Sequence, residues 1–192
     1  MRRLGISQAP FRYCEGMASL KRPAALGAFV ALMVAVVASR TAPESYEAPF
    51  PKLFFSDTLH LKAWLTTTAL LLAVAQLLTA SRIYQVLHFP PEGRFYDLVH
   101  RWCGRAAVVL TLPVAYHCIF LLGFGTYSLR AVAHSLLGSL LYGALVCKVL
   151  IVRSSGLQAW ALPAAGVALF CILLGLWLTS ALWFFRTFGI GM

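Results

Sequence analysis

LPVAYHCIFLLGFGTYSLRAVAHSLLG, residues 112–138, sets two apolar helical runs on either side of a glycine-containing turn, with one histidine in each run. His117 lies six residues before Gly123, and His134 lies six residues after Ser128. At 1.5 Å of rise per residue, each imidazole falls about 9 Å inside the end of its helix. The short connection predicts antiparallel neighbouring helices whose imidazoles face each other at one depth. An ionisable side chain in hydrocarbon is costly, so each histidine is a functional candidate in need of a partner. Here each histidine is the other's best partner.

The rest of the chain supports a membrane setting. Of its 192 residues, 60% are hydrophobic and 11% charged, with a mean hydropathy of +0.80. A soluble domain of that length needs far more charged surface, which makes this an all-α integral membrane protein. With about 20 apolar residues per crossing, five spans are predicted near residues 23–39, 61–81, 99–124, 129–152 and 160–185. They form a four-helix bundle of the haem-binding type plus an N-terminal signal-anchor helix. Residues 1–22 are a basic, flexible cytoplasmic segment, and residues 23–192 the transmembrane domain. The first span also has the form of a cleavable signal peptide; the long leader and poor cleavage site favour a retained anchor.

Besides the turn at Gly123–Tyr127, three breakers separate the spans: the proline-rich acidic stretch 41–58, the run His88-Phe-Pro-Pro-Glu-Gly-Arg94, and Arg153-Ser-Ser-Gly156. Ser128 has the position of an N-cap for the fourth span, and Pro113 predicts a local kink in the third. The net charge of +10 sits at span ends and in alternating loops, as the positive-inside rule requires, and leaves no basic-aromatic surface for nucleic acid. Arg2, Arg3, Arg12, Lys21 and Arg22 precede the first span, which puts the N-terminus in the cytoplasm. The five cysteines form no C-x-x-C pair and no C-x-x-C-H, so neither a disulfide framework nor a cysteine zinc site is supported and no covalently attached haem is expected.

Imidazoles on facing helices suit the two axial positions of a haem iron. A bis-imidazole centre has no open position and carries single electrons. The alternative for His117 and His134 is an interhelical hydrogen bond without a cofactor. Gly138, one turn beyond His134, leaves room for a flat macrocycle. Arg130 and Lys62 are the cations nearest the anionic propionates, with Tyr127 and Ser128 as further donors. His100 stands 17 residues from His117, about 25 Å along the helix, and cannot share its iron. It reads as an interfacial histidine, with an inner haem or a quinone site as the functional alternatives. His60, at the mouth of the second span beside Lys62, is shallower than His117 and reads as interfacial, with a ligand role as the lower-ranked alternative that needs a tilted helix. His88 is a loop histidine. Lys148 is expected to snorkel to the cytoplasmic face. Gln76 and the Thr66-Thr67-Thr68 run are expected to bond between helices.

Four stretches carry a family resemblance: His100-Arg-Trp-Cys-Gly-Arg105, Leu112-Pro-Val-Ala-Tyr-His-Cys118, His134-Ser-Leu-Leu-Gly138 and Leu176-Trp-Leu-Thr-Ser-Ala-Leu-Trp-Phe184. The chain from 100 to 185 resembles an uncharacterised bacterial membrane-protein family related to ferric-reductase-like and b-type cytochrome transmembrane domains. The resemblance implies haem b, iron and transmembrane electron transfer, with His100, His117 and His134 at the matching positions. Two-haem members of that wider group pair histidines on two helices; here only the third span carries two, which leaves the second haem open.

The expectation is therefore a haem b membrane cytochrome, multi-pass in a bacterial inner membrane. It moves electrons from a quinol or a cytoplasmic-side donor to an acceptor near the outer face. Its partners are the lipid bilayer and a redox protein or quinone; oligomerisation is left open. Whether it belongs to an enzyme is open too, an electron-transfer subunit of an oxidoreductase being the form that would take. The rival from another class is a cofactor-free membrane anchor or assembly subunit of a larger redox complex. A transporter ranks lowest, for want of inverted repeats and broken half-helices.

Overall fold

The computed structural model describes residues 9–41, 55–87, 93–154 and 157–189, with side chains from Leu20 onward. Six α-helices and one π-helical turn account for nearly all of them: α1 Ala9–Arg40, α2 Thr58–Ile83, α3 Arg94–Tyr116, the π turn His117–Leu122, α4 Leu129–Arg153, α5 Ala161–Thr179 and α6 Ala181–Phe188. Among the described residues no strand forms. Five helical stretches are long and apolar enough to cross a membrane: Leu20–Arg40, Thr58–Ile83, Arg94–Leu122, Leu129–Arg153 and Ala161–Phe188. Their outward surfaces carry Leu71, Val109, Leu136 and Leu178, all exposed, as expected where lipid is the solvent. The predicted acidic loop, apart from its edges, and His88 lie outside the described residues.

Local chemistry sets the ends. The Asp57 carboxylate accepts the His60 backbone N–H at 2.8 Å and caps α2; the Ser128 hydroxyl accepts the Ala131 N–H at 3.1 Å and caps α4. Pro113 contributes no N–H to the α3 ladder, and the ladder widens from His117 to Leu122. The π turn ends at Gly123, whose φ of +70° belongs to glycine; a Cβ there would lie 2.8 Å from the Thr41 carbonyl oxygen. The next residue ties the turn to α1, with the Phe124 N–H donating to the Ala38 carbonyl at 2.9 Å.

Two helices depart from expectation. α1 starts at Ala9, well before the apolar run, because helix formation follows local propensity and does not halt where hydropathy drops. The fifth span breaks at Thr179–Ser180, where Ser180 has φ −120° and ψ −76°. The Thr179 and Ser180 hydroxyls donate to the Gly175 and Leu176 carbonyls at 2.8 and 2.7 Å, side-chain bonds that compete with the helical ladder.

The helices form a ring. α1 packs on α4, α4 on α5, α5 on α2 and α2 on α3; the π turn returns to α1, and α6 folds against α2. At the α1–α4 crossing, Gly27 and Gly143 bring two backbones together: a Cβ on Gly143 would lie 2.4 Å from the Gly27 carbonyl oxygen. The expected side-by-side packing of α3 and α4 is corrected. These consecutive helices do not pack along their length, and a cavity lies between them. The connection through residues 123–128 explains why, since six extended residues reach about 20 Å and do not force contact. The Tyr142 hydroxyl crosses the gap to the Thr111 carbonyl and hydroxyl oxygens, at 3.2 and 3.3 Å.

Candidate functional site

The cavity has a volume of about 650 Å³ and is lined by α1, α2, α3 with its π turn, α4, α5 and the α5–α6 break. It lies in the half of the bundle that holds the start of α2 and the start of α4. Roughly 300–1,000 Å³ is usual for cofactor and small-molecule sites. Most of its wall is apolar, from residues such as Val114, Ile119, Leu173 and Leu176. Thr66 and Ser139, also on the wall, return their hydroxyl protons to the Lys62 and Ser135 carbonyls. Gly138 faces open space, where an added Cβ would meet no atom within 4 Å.

His134 lines this space, and its hydrogen bonds favour one tautomer. Its Nδ1 lies 3.0 Å from the Thr179 Oγ1. The Thr179 hydroxyl proton goes to the Gly175 carbonyl at 2.8 Å, so Oγ1 accepts the imidazole N–H. In that arrangement the proton of His134 is assigned to Nδ1, and Nε2 keeps its lone pair. An imidazole that donates its second nitrogen to an oriented oxygen is the usual arrangement of a metal-binding histidine.

His117 is placed differently. It is 2% exposed and is not part of the cavity lining. Its Nδ1 lies 3.1 Å from Lys62 Nζ, and Lys62 itself lines the cavity. With Lys62 as an ammonium group, which only donates, Nδ1 of His117 accepts.

Arg130 also lines the cavity. Its Nη1 donates to the Thr179 carbonyl at 2.8 Å, and its guanidinium stands 3.9 Å from the centre of the Trp183 ring, a cation–π contact. Thr179 thus serves two cavity residues, one through its hydroxyl and one through its carbonyl. Among the described lining residues Lys62 and Arg130 are the charged ones, and no carboxylate joins them. The cavity is an apolar chamber with a cationic end.

The remaining candidates lie elsewhere. His60 Nδ1 is 2.7 Å from the Asp57 carboxylate, and its ring meets Phe184 edge-on at 4.7 Å; it serves the α2 cap. Partial burial pushes the Asp57 carboxyl upward, but hydrogen bonds and the charge from His60 outweigh it and hold the group below its ordinary value. His100 is in the opposite half of the bundle. Its Nδ1 donates to the Gln76 carbonyl at 3.1 Å and lies 3.0 Å from Thr79 Oγ1, while Gln76 Nε2 donates back to the His100 carbonyl at 3.1 Å. Gln76 therefore bonds between helices, as expected. Thr67 does too, accepting Trp177 Nε1–H at 2.9 Å, whereas Thr66 bonds within its own helix. Lys148 Nζ comes close to Gly166 of α5.

Sequence reasoning missed Thr179, Trp183, Tyr142 and Cys118, which also faces the cavity. The available signal was the Thr179–Ser180 pair, polar in the middle of an apolar run. Among the described residues no three His, Cys, Asp or Glu side chains converge. A haem needs one or two axial donors and not three. The donor set here, with its volume, its open face at Gly138 and its cationic end, fits that group.

Residues 20–192 match a family described as a family of unknown function, DUF6529, and the chain belongs to it. No curated protein and no solved structure matches the chain.

Proposed function

We propose that this member of a family of unknown function is a multi-pass membrane cytochrome that holds haem b in the cavity. The haem, when bound, supplies one-electron chemistry. The chain does the rest. His134 would hold the iron through Nε2, Thr179 would keep that tautomer and the ring's orientation, and Lys62 and Arg130 would meet the group's anionic carboxylates. The wall is mostly apolar, and Gly138 leaves space where a flat ring would lie. With the basic ends of the bundle in the cytoplasm, the cavity lies towards the outer face. That suits transfer from a quinol or cytoplasmic-side donor to an outer acceptor.

The observation that carries the proposal is the Thr179-oriented imidazole at the wall of a cofactor-sized chamber. The test is the absorption spectrum of the purified, dithionite-reduced protein expressed with ample haem, with pyridine haemochrome quantitation. A Soret band that disappears in His134→Ala supports the proposal; no band in the parent protein refutes it.

A second reading, a cofactor-free anchor in a larger redox complex, draws on one feature. Along α3 and its π turn only Ala107 and His117 are buried, and Phe95, Leu98 and Trp102 stand exposed, a face open to another membrane subunit. For an anchor, His134→Ala alters complex recovery with no spectrum to lose.

A further inference from the structure

Two histidines at one depth invite equal roles, but the hydrogen bonds around them are unequal. His134 gives its Nδ1 proton to Thr179 and keeps Nε2 as a lone-pair donor beside the cavity. His117 accepts from Lys62 through Nδ1, which for a neutral ring puts the proton on Nε2. In that state His117 has no lone pair left to give a metal, and it stands behind the cavity wall.

Lys62 sits four residues into α2. A lysine so near the end of a span ordinarily extends its ammonium to the polar boundary. Here the amine turns inward to His117 and lies on the cavity wall. On the same wall Arg130 is braced by the Thr179 carbonyl and the Trp183 ring. Two cations, each held by a neighbour, therefore face a space whose described lining residues include no acid.

We infer that His134 alone of the two histidines is an axial donor, and that His117 is a positioning residue, holding Lys62 on the wall to receive an anionic carboxylate of the bound group. This rests on the haem proposal for what the carboxylate belongs to. The tautomer assignments do not depend on it.

The test uses the full-length protein in detergent or nanodiscs. First, ¹⁵N NMR of the histidine rings in haem-free protein reads the tautomers directly. His134 is expected as the Nδ1–H form and His117 as the Nε2–H form. The reverse assignment for either ring overturns the inference.

Second, haem titration followed at the Soret band compares variants. His134→Ala is expected to lose the band. His117→Ala retains it, with affinity lowered several-fold and to the same extent as Lys62→Met. The double variant His117→Ala/Lys62→Met binds no more weakly than Lys62→Met alone, because the two residues act as one unit. His117→Asn, which restores an acceptor for Lys62, recovers most of the affinity. Thermal melting and gel filtration accompany each variant; should His117→Ala fail to fold, His117→Asn and Lys62→Met carry the comparison. A bis-imidazole low-spin EPR signal that disappears with His117→Asn, or additive losses at positions 117 and 62, overturns the inference. A parent protein with the expected tautomers but no Soret band rejects the haem proposal and leaves the Lys62–His117 assignment standing.

Discussion

Replacing Thr179 by valine removes one hydroxyl from the cavity wall and changes its shape little. The Arg130 contact survives, because it uses the Thr179 backbone carbonyl. What is lost is the acceptor 3.0 Å from His134 Nδ1. A buried donor left without a partner costs about 1–3 kcal/mol. The ring relieves that cost by moving its proton to Nε2, and the lone pair needed for an axial bond then goes with it. One tenfold change corresponds to about 1.4 kcal/mol, so the expected loss of haem affinity is roughly 5- to 150-fold. That brackets the roughly 10- to 100-fold effect usual for removing the outer partner of a metal-bound histidine. The assay is haem titration of purified protein at the Soret band, with Thr179→Ser as the control that keeps the hydroxyl. Thr179→Val binding haem within about twofold of the parent would refute the role given to the hydroxyl.

Four further substitutions test other parts of the structure. Gly138→Ala places a Cβ in open space and replaces a mid-helix glycine, so it is expected to stabilise the protein by about 0.5–1 kcal/mol in a denaturation midpoint. Gly138→Leu is expected to fold but to fill the cavity and abolish the Soret band. Gly143→Leu drives a side chain into the α1 backbone, 2.4 Å away at its first atom, and is expected to release α1 from α4. Loss of a disulfide engineered across that crossing reads this out; unimpaired cross-linking contradicts it. Asp57→Ala removes the α2 cap and is expected to cost about 1 kcal/mol at neutral pH. Because the Asp57 carboxyl in the folded state lies below its ordinary 3.8, its contribution is complete above about pH 4 and is lost as the pH falls through the folded-state value. The difference in melting temperature between Asp57→Ala and parent protein should therefore close on acidification; a constant difference argues against the cap.

Much of the fold was legible because hydropathy and helix length are local quantities. All five span-length helices fall where the apolar runs predict, and Ser128 caps α4 as its position suggests. Pro113 foretold a disturbance, which takes the form of a π turn a few residues later. What the chain did not disclose depends on contacts distant in sequence. A six-residue connection says nothing about whether α3 and α4 touch, since α1 docks at the end of the π turn through Ala38 and Phe124. Lys62 meets His117 across 55 positions, and Thr179 meets His134 across 45. Composition alone cannot pair residues at such separations. Thr179 was hidden further by its backbone, whose carbonyl serves Arg130 at a helix break that no glycine or proline announces.

The gap between α3 and α4 bears on how a large planar molecule reaches its place. A chamber walled by tightly interlocked helices admits a guest only when a helix melts. Here the gap is crossed by the Tyr142 hydroxyl reaching Thr111, a link worth about 1 kcal/mol. α3 packs on α2, and its π turn is held to α1, so the side between α3 and α4 is the one that no helix pair closes. On the haem proposal, this side is where a planar guest would enter from within the bilayer, past a single side-chain link and without parting any packed helix pair.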